Sequence, residues 1–145
     1  LTQYSQGPNL YATIQAPPTI DEALIFAIET LGIEAPGGDL INSNAYEVLM
    51  EDVTSGFYVG MSIVDGVKCH HLAYRKKDVD WQIWVEDGDK PLPKKFIITT
   101  KWLTGAPQYT ISVKSWDTSP KLKDNIFNFS PPKDVGKIEF IRYTD

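Results

Sequence analysis

The sequence predicts an antiparallel α+β fold in which two helices separate a pair of opening strands from a long run of closing strands. Three observations carry that prediction. The apolar spacing changes at Thr19 from strand-like alternation to a helical repeat, and from Phe57 it returns to alternation that continues to the end. Turn-forming clusters fall between the segments so defined. The length of 145 residues suits one domain spanning 1–145, since a core of that size buries roughly 70% of the surface the unfolded chain exposes.

Leu1 to Ala16 reads as two short strands around Gly7-Pro8-Asn9, with Tyr4, Leu10, Tyr11 and Ile14 on the flanks, and Pro17-Pro18 stops them. From Thr19 onward Ile20, Leu24, Ala27, Ile28 and Leu31 share one helical face; Thr19 can cap, Asp21 and Glu22 suit the positive N-terminus, and Gly32 ends the helix. After Gly37-Gly38-Asp39, the spacing of Leu40, Ile41, Tyr46, Val48, Leu49 and Met50 predicts a second helix within Asp39 to Asp52, with Ser43 and Asn44 as alternative caps.

Phe57 to Val64 alternates, and Asp65-Gly66 supplies the residues of a two-residue type I′ turn. That turn pairs Val64 with Val67, Ser62 with Cys69 and Gly60 with His71 on one side of the ribbon. On its more apolar side it pairs Ile63 with Lys68, Met61 with His70, Val59 with Leu72, and Phe57 with Tyr74. Val79, Trp81, Ile83 and Val85 form the inward face of the next strand, while Trp84 shares the opposite, polar face. Trp84 therefore implies either a second covered face or a contact surface. A strand from Lys95 to Leu103 sets Phe96, Ile98, Thr100 and Trp102 on one side. Tyr109, Ile111 and Val113 follow, then closing strands near Ile126 to Phe129 and Ile138 to Tyr143.

Composition narrows the function. With 42% hydrophobic and 23% charged residues and no long apolar run, the chain is neither disordered nor membrane-spanning. A net charge of −5, with lysines dispersed among acids, argues against a nucleic-acid partner. The lone Cys69 forms no internal disulfide and sits in an apolar pattern. In Cys69-His70-His71 only Cys69 and His71 share a strand face, so at most two could ligate one metal and a zinc site would need further ligands from elsewhere; a packed thiol and hydrogen-bonded histidines are the simpler account. A Cys-His nucleophile pair lacks an orienting third group. Glu86-Asp87-Gly88-Asp89 lacks the alternating carboxylates of an EF-hand and reads as a hairpin turn. Arg75 to Asp80 reads as a mixed-charge connection. No cofactor is expected, and no catalytic residue emerges.

The stretch DGVKCHHLAYRKKDVDWQIWVEDGDKPLPK resembles the signature of a family of predicted periplasmic proteins of unknown function. YATIQAPPTIDEAL, YVGMSIVDGV, GAPQYTISVKSWD and FNFSPPKDVGKIEF support it across nearly the whole chain. The family is similar, in its run of antiparallel strands and its F-x-F-x-P-P ending, to lipoprotein carriers of the LolA/LolB-like type. The resemblance implies a periplasmic or envelope location and a start at Leu1 inside a longer protein. It also implies a curved, half-open antiparallel barrel with two helices on its concave face.

On that reading the ligand is a lipid or lipoprotein acyl chain. Its cavity is lined by Leu24, Ile28 and Leu31 of the first helix and by Val59, Met61, Leu72, Trp81, Ile83 and Trp102 of the sheet. For Trp81 and Trp102, plain core is the simpler reading. The alternative is an envelope interaction module with a filled core and an exposed Trp84 patch. An enzyme is not expected. A connected apolar cavity would favour the first reading, a filled interior the second. An uncovered strand edge would also promote self-association.

Overall fold

In a computed structural model, residues 1–141 are described. They group into two compact units, one of Leu1–Ala35 with the chain from Ser119 onward, the other of Pro36–Thr118. The architecture is α+β, with two helices and two sheets.

In the first unit, β1 (Thr2–Ser5) and β2 (Leu10–Thr13) form the expected hairpin, and β8 (Gly136–Ile138) joins β2 in parallel. Asn9 makes this possible. It takes a left-handed conformation (φ 54°), its side chain donates to the Asp134 carbonyl at 2.7 Å, and its own carbonyl accepts from Gly136 N at 3.0 Å. Phe129 packs its ring 5.3 Å from that of Tyr11. Helix α1 (Ile20–Leu31) is capped as its sequence requires: Glu22 N donates to Thr19 Oγ1 at 3.2 Å, and Thr19 Oγ1 donates back to the Glu22 carboxylate at 2.8 Å. Gly32, left-handed at φ 62°, ends it.

The second unit is a five-stranded antiparallel meander, β3 (Ser55–Val64), β4 (Val67–Arg75), β5 (Val79–Glu86), β6 (Pro93–Thr100) and β7 (Gln108–Ser112), in sequential order. Asp65 (φ 49°) and Gly66 (φ 81°) both adopt the positive φ of a type I′ turn. A short 3₁₀ turn (Gly38–Ile41) and helix α2 (Ala45–Met50) lie over one face of the sheet, where Leu49, Trp81 and Phe96 form the buried centre. Leu40, Met50, Tyr74, Ile83, Ile98 and Ile111 pack around them.

Several expectations need correction. The strands divide between two sheets instead of forming one, and β8 runs parallel. The second helix is broken, because Asn42 Oδ1 accepts from Asn44 N at 2.9 Å and offers the backbone a local turn in place of a helical bond. Ile126–Phe129 is not a strand: Asp124–Phe127 is a 3₁₀ turn. The last closing strand shortens to Gly136–Ile138, and Tyr143 lies outside the described residues. Strand β6 ends at Thr100, three residues early, where Lys101 turns towards β5 and the connection before it; its Nζ donates to the Lys76 carbonyl and pairs with Asp80 at 2.8 Å. No helix among the described residues is long and apolar enough to cross a membrane.

Candidate functional site

Cross-strand register assigns the sheet's two faces. Hairpin pairing matches expectation from Val64–Val67 through Gly60–His71, then shifts by one residue at Val59, a β-bulge. Beyond it Tyr58 faces Leu72 and Phe57 faces Ala73, so the expected Val59–Leu72 and Phe57–Tyr74 pairs do not form. The bulge moves Tyr58 onto the face that carries Met61 and Ile63.

That face runs from Ile63, Met61 and Tyr58 on β3, through His70, Leu72 and Tyr74 on β4, to Val85, Ile83 and Trp81 on β5 and Phe96 and Ile98 on β6. Its β5–β7 side lies under α2, and its β3 side is open. Ile63 is 67% exposed and Met61 42%, whereas Trp81 is 5% exposed. Met61, Leu72, Ile83 and Trp81 thus share one surface that grades from open to core. Val59 is exposed at the bulge and joins no cross-strand pair.

Trp102 needs correction. It is 64% exposed in the turn after β6 and belongs to no sheet face. On α1, Leu24 and Leu31 are half-buried and Ile28 is exposed, while Ala27 is the buried residue. These three belong to the other unit.

A polar network that sequence reasoning missed borders the open side. Asp87 lies just beyond β5, held by its backbone N–H donating to the Lys68 carbonyl at 2.9 Å. Its carboxylate accepts from Lys68 Nζ at 3.1 Å and from His70 Nε2 at 3.0 Å. A neutral His70 ring then has Nδ1 free to accept, and Tyr58 OH stands 3.1 Å from it. The hydrogen bonds from Lys68 and then His70 hold the Asp87 carboxyl below its usual range. The β4–β5 register explains the network, since continuing Cys69–Glu86 by one residue brings Lys68 beside Asp87, and no local sequence pattern gives that register. Tyr58, His70 and Asp87 have the connectivity of a nucleophile, base and orienter, but all three are open to water, where such a relay gains little from its field.

The opposite face is polar yet partly closed. His71 stacks on Trp84 with ring centroids 3.9 Å apart, Lys95 sets its ammonium 4.8 Å from the same ring's centroid, and His71 Nε2 donates to Gln82 Oε1 at 2.9 Å. Flanked from both neighbouring strands, Trp84 is buried. Beside it Cys69 is fully enclosed, and burial followed by the nearby Glu86 charge raises its thiol's pKa. No group of three or more His, Cys, Asp or Glu capable of holding a metal occurs among the described residues.

Under α2, a cavity of about 200 Å³ has Leu49, Val79, Trp81, Phe96 and Ile98 as apolar wall and Lys76 and Asp39 as charged lining. Of the expected ligand-contacting residues, Trp81 alone lines it.

A family described as predicted periplasmic protein (DUF2092) matches residues 1–141. The chain belongs to this family. Its DUF2092 membership agrees with the long Asp65–Lys94 motif, which forms β4, β5 and the start of β6, and it assigns the protein to the periplasm or envelope. No curated protein and no solved structure matches it.

Proposed function

We propose that this DUF2092 protein is a non-catalytic binding protein that holds the acyl chain of a lipid or lipoprotein on the open side of the five-stranded sheet. The observation that carries the reading is the continuous apolar surface formed by Ile63, Met61, Tyr58, Leu72 and Ile83, uncovered at β3 and merging into the core at Trp81. Exposed apolar surface that is contiguous rather than scattered marks a contact site. The Lys68–Asp87–His70–Tyr58 network at its border supplies hydrogen-bonding groups for a polar head. The sequence resemblance to lipoprotein carriers supports the ligand class.

The test is titration with a fluorescent long-chain fatty acid. Wild-type protein should bind it saturably, and Met61→Asp/Ile63→Asp should weaken binding at least about tenfold, because each carboxylate would be desolvated by the chain. Equal binding by both proteins would remove the site from this surface.

A second reading is favoured by one feature of β3. It is the sheet's edge strand, ten residues long, and carries no charged residue to discourage pairing. An envelope partner could add a strand there. Ser62→Lys would then abolish partner capture while leaving fatty-acid titration unchanged.

A further inference from the structure

We propose that the cavity beneath α2 is a binding site for a small apolar α-amino acid, separate from the open sheet face. It shares Trp81 with the inner end of the acyl-chain surface but none of the exposed β3 residues that would hold the chain, so the proposal does not rest on the acyl-chain reading. The size sets the first limit. A cavity of about 200 Å³ is slightly larger than the engineered apolar cavity of about 150 Å³ that takes up benzene, so it accepts one ring or a branched aliphatic group. Leu49, Val79, Phe96 and Ile98 give the apolar body its contacts.

The charged lining sets the second limit. Lys76 and Asp39 border the same cavity, yet among the described residues neither makes an ion pair. Lys76 Nζ has one long contact, 3.4 Å to the Val48 carbonyl, and it stands where the cavity meets a wider depression formed by Asp52–Thr54 and Lys76–Val79. Trp81 adds a third group, because its indole N–H is buried with no acceptor. Two donors and one carboxylate around an apolar hollow suit a zwitterion: the ligand carboxylate meets Lys76 and gives Trp81 the acceptor it lacks, and the ligand ammonium meets Asp39. A simple fatty acid would leave Asp39 facing an anion, and a simple amine would leave Lys76 facing a cation.

The experiment is titration of the ¹⁵N-labelled protein with L-phenylalanine and L-leucine, read at the Trp81 indole N–H, which Trp81→Phe assigns. The expected result is a saturable shift of that resonance, with 3-phenylpropanoate and 2-phenylethylamine each binding at least about tenfold more weakly. Lys76→Met should weaken amino-acid binding to a similar degree, and Ile98→Phe, which fills the cavity, should abolish it. If Ile98→Phe does not fold, Lys76→Met at the cavity's edge carries the test alone. No shift with either amino acid overturns the proposal, and equal binding of 3-phenylpropanoate overturns the zwitterionic head. Met61→Asp/Ile63→Asp should leave the Trp81 response intact while losing fatty-acid binding, so failure of either proposal is read separately.

Discussion

Cys69 has 0% of its surface exposed, and the desolvated thiol has a raised pKa. It should therefore stay protonated at neutral pH and resist alkylation. Native protein treated with a maleimide should gain no mass over hours and become fully labelled in denaturant; rapid native labelling would mean that β4 opens. Asp87 behaves oppositely. Its folded-state pKa is lowered, so its contribution to stability is present above the unfolded value and is lost as pH falls through the folded value. Asp87→Asn should be less stable than wild type near about pH 7, with the difference shrinking as pH falls below the usual carboxylate range, by urea midpoints across that span. Alternation along a strand decides which face a residue takes. Trp81 and Trp84 were correctly assigned to opposite faces, but whether Trp84 was covered depended on His71 and Lys95 in neighbouring strands, whose register relative to β5 alternation does not give. Trp102 was misplaced because continued alternation past Thr100 hides the turn made by Lys101.

The β3–β4 hairpin is specified by its turn, and the same local chemistry sets its limit. Asp65-Gly66 fixes the five pairs nearest the turn, whereas the bulge at Val59 changes every pair beyond it. A bulge adds one residue without a distinctive residue type here, although Gly60 at φ 126° gives the chain the freedom to make it. Gly66→Ala should destabilise the hairpin by about 1 kcal/mol, from strain at its positive φ. Unchanged thermal unfolding would show the turn relaxing to another type. Helix α2 has six residues, too short to hold alone, so its position depends on Leu49 in the core. Leu49→Ala should cost about 2–5 kcal/mol by chemical denaturation. A much smaller loss would mean that the cavity beneath the helix collapses to fill the gap.

Across the whole molecule, the α+β class was legible because the apolar period switches twice, but the division into two sheets was not. Parallel pairing of β8 with β2 joins residues 126 positions apart, from Leu10 to Gly136, and no local pattern announces such a contact. The candidate site was legible in part for the same reason. Met61, Leu72, Trp81 and Ile83 came from alternation and do share a face, whereas the Tyr58–His70–Asp87 network needed both the bulge and the β4–β5 register. The family and its periplasmic location came from the long motif.

An open apolar face that carries an acyl chain should leave the cell with one bound. Its most direct test is native mass spectrometry of protein isolated from a periplasm, followed by denaturation and lipid identification. Wild-type protein should carry a stoichiometric acyl-bearing molecule that is absent from Met61→Asp/Ile63→Asp. Wild-type protein that is free of lipid and remains so after incubation with phospholipid and fatty acid would contradict it.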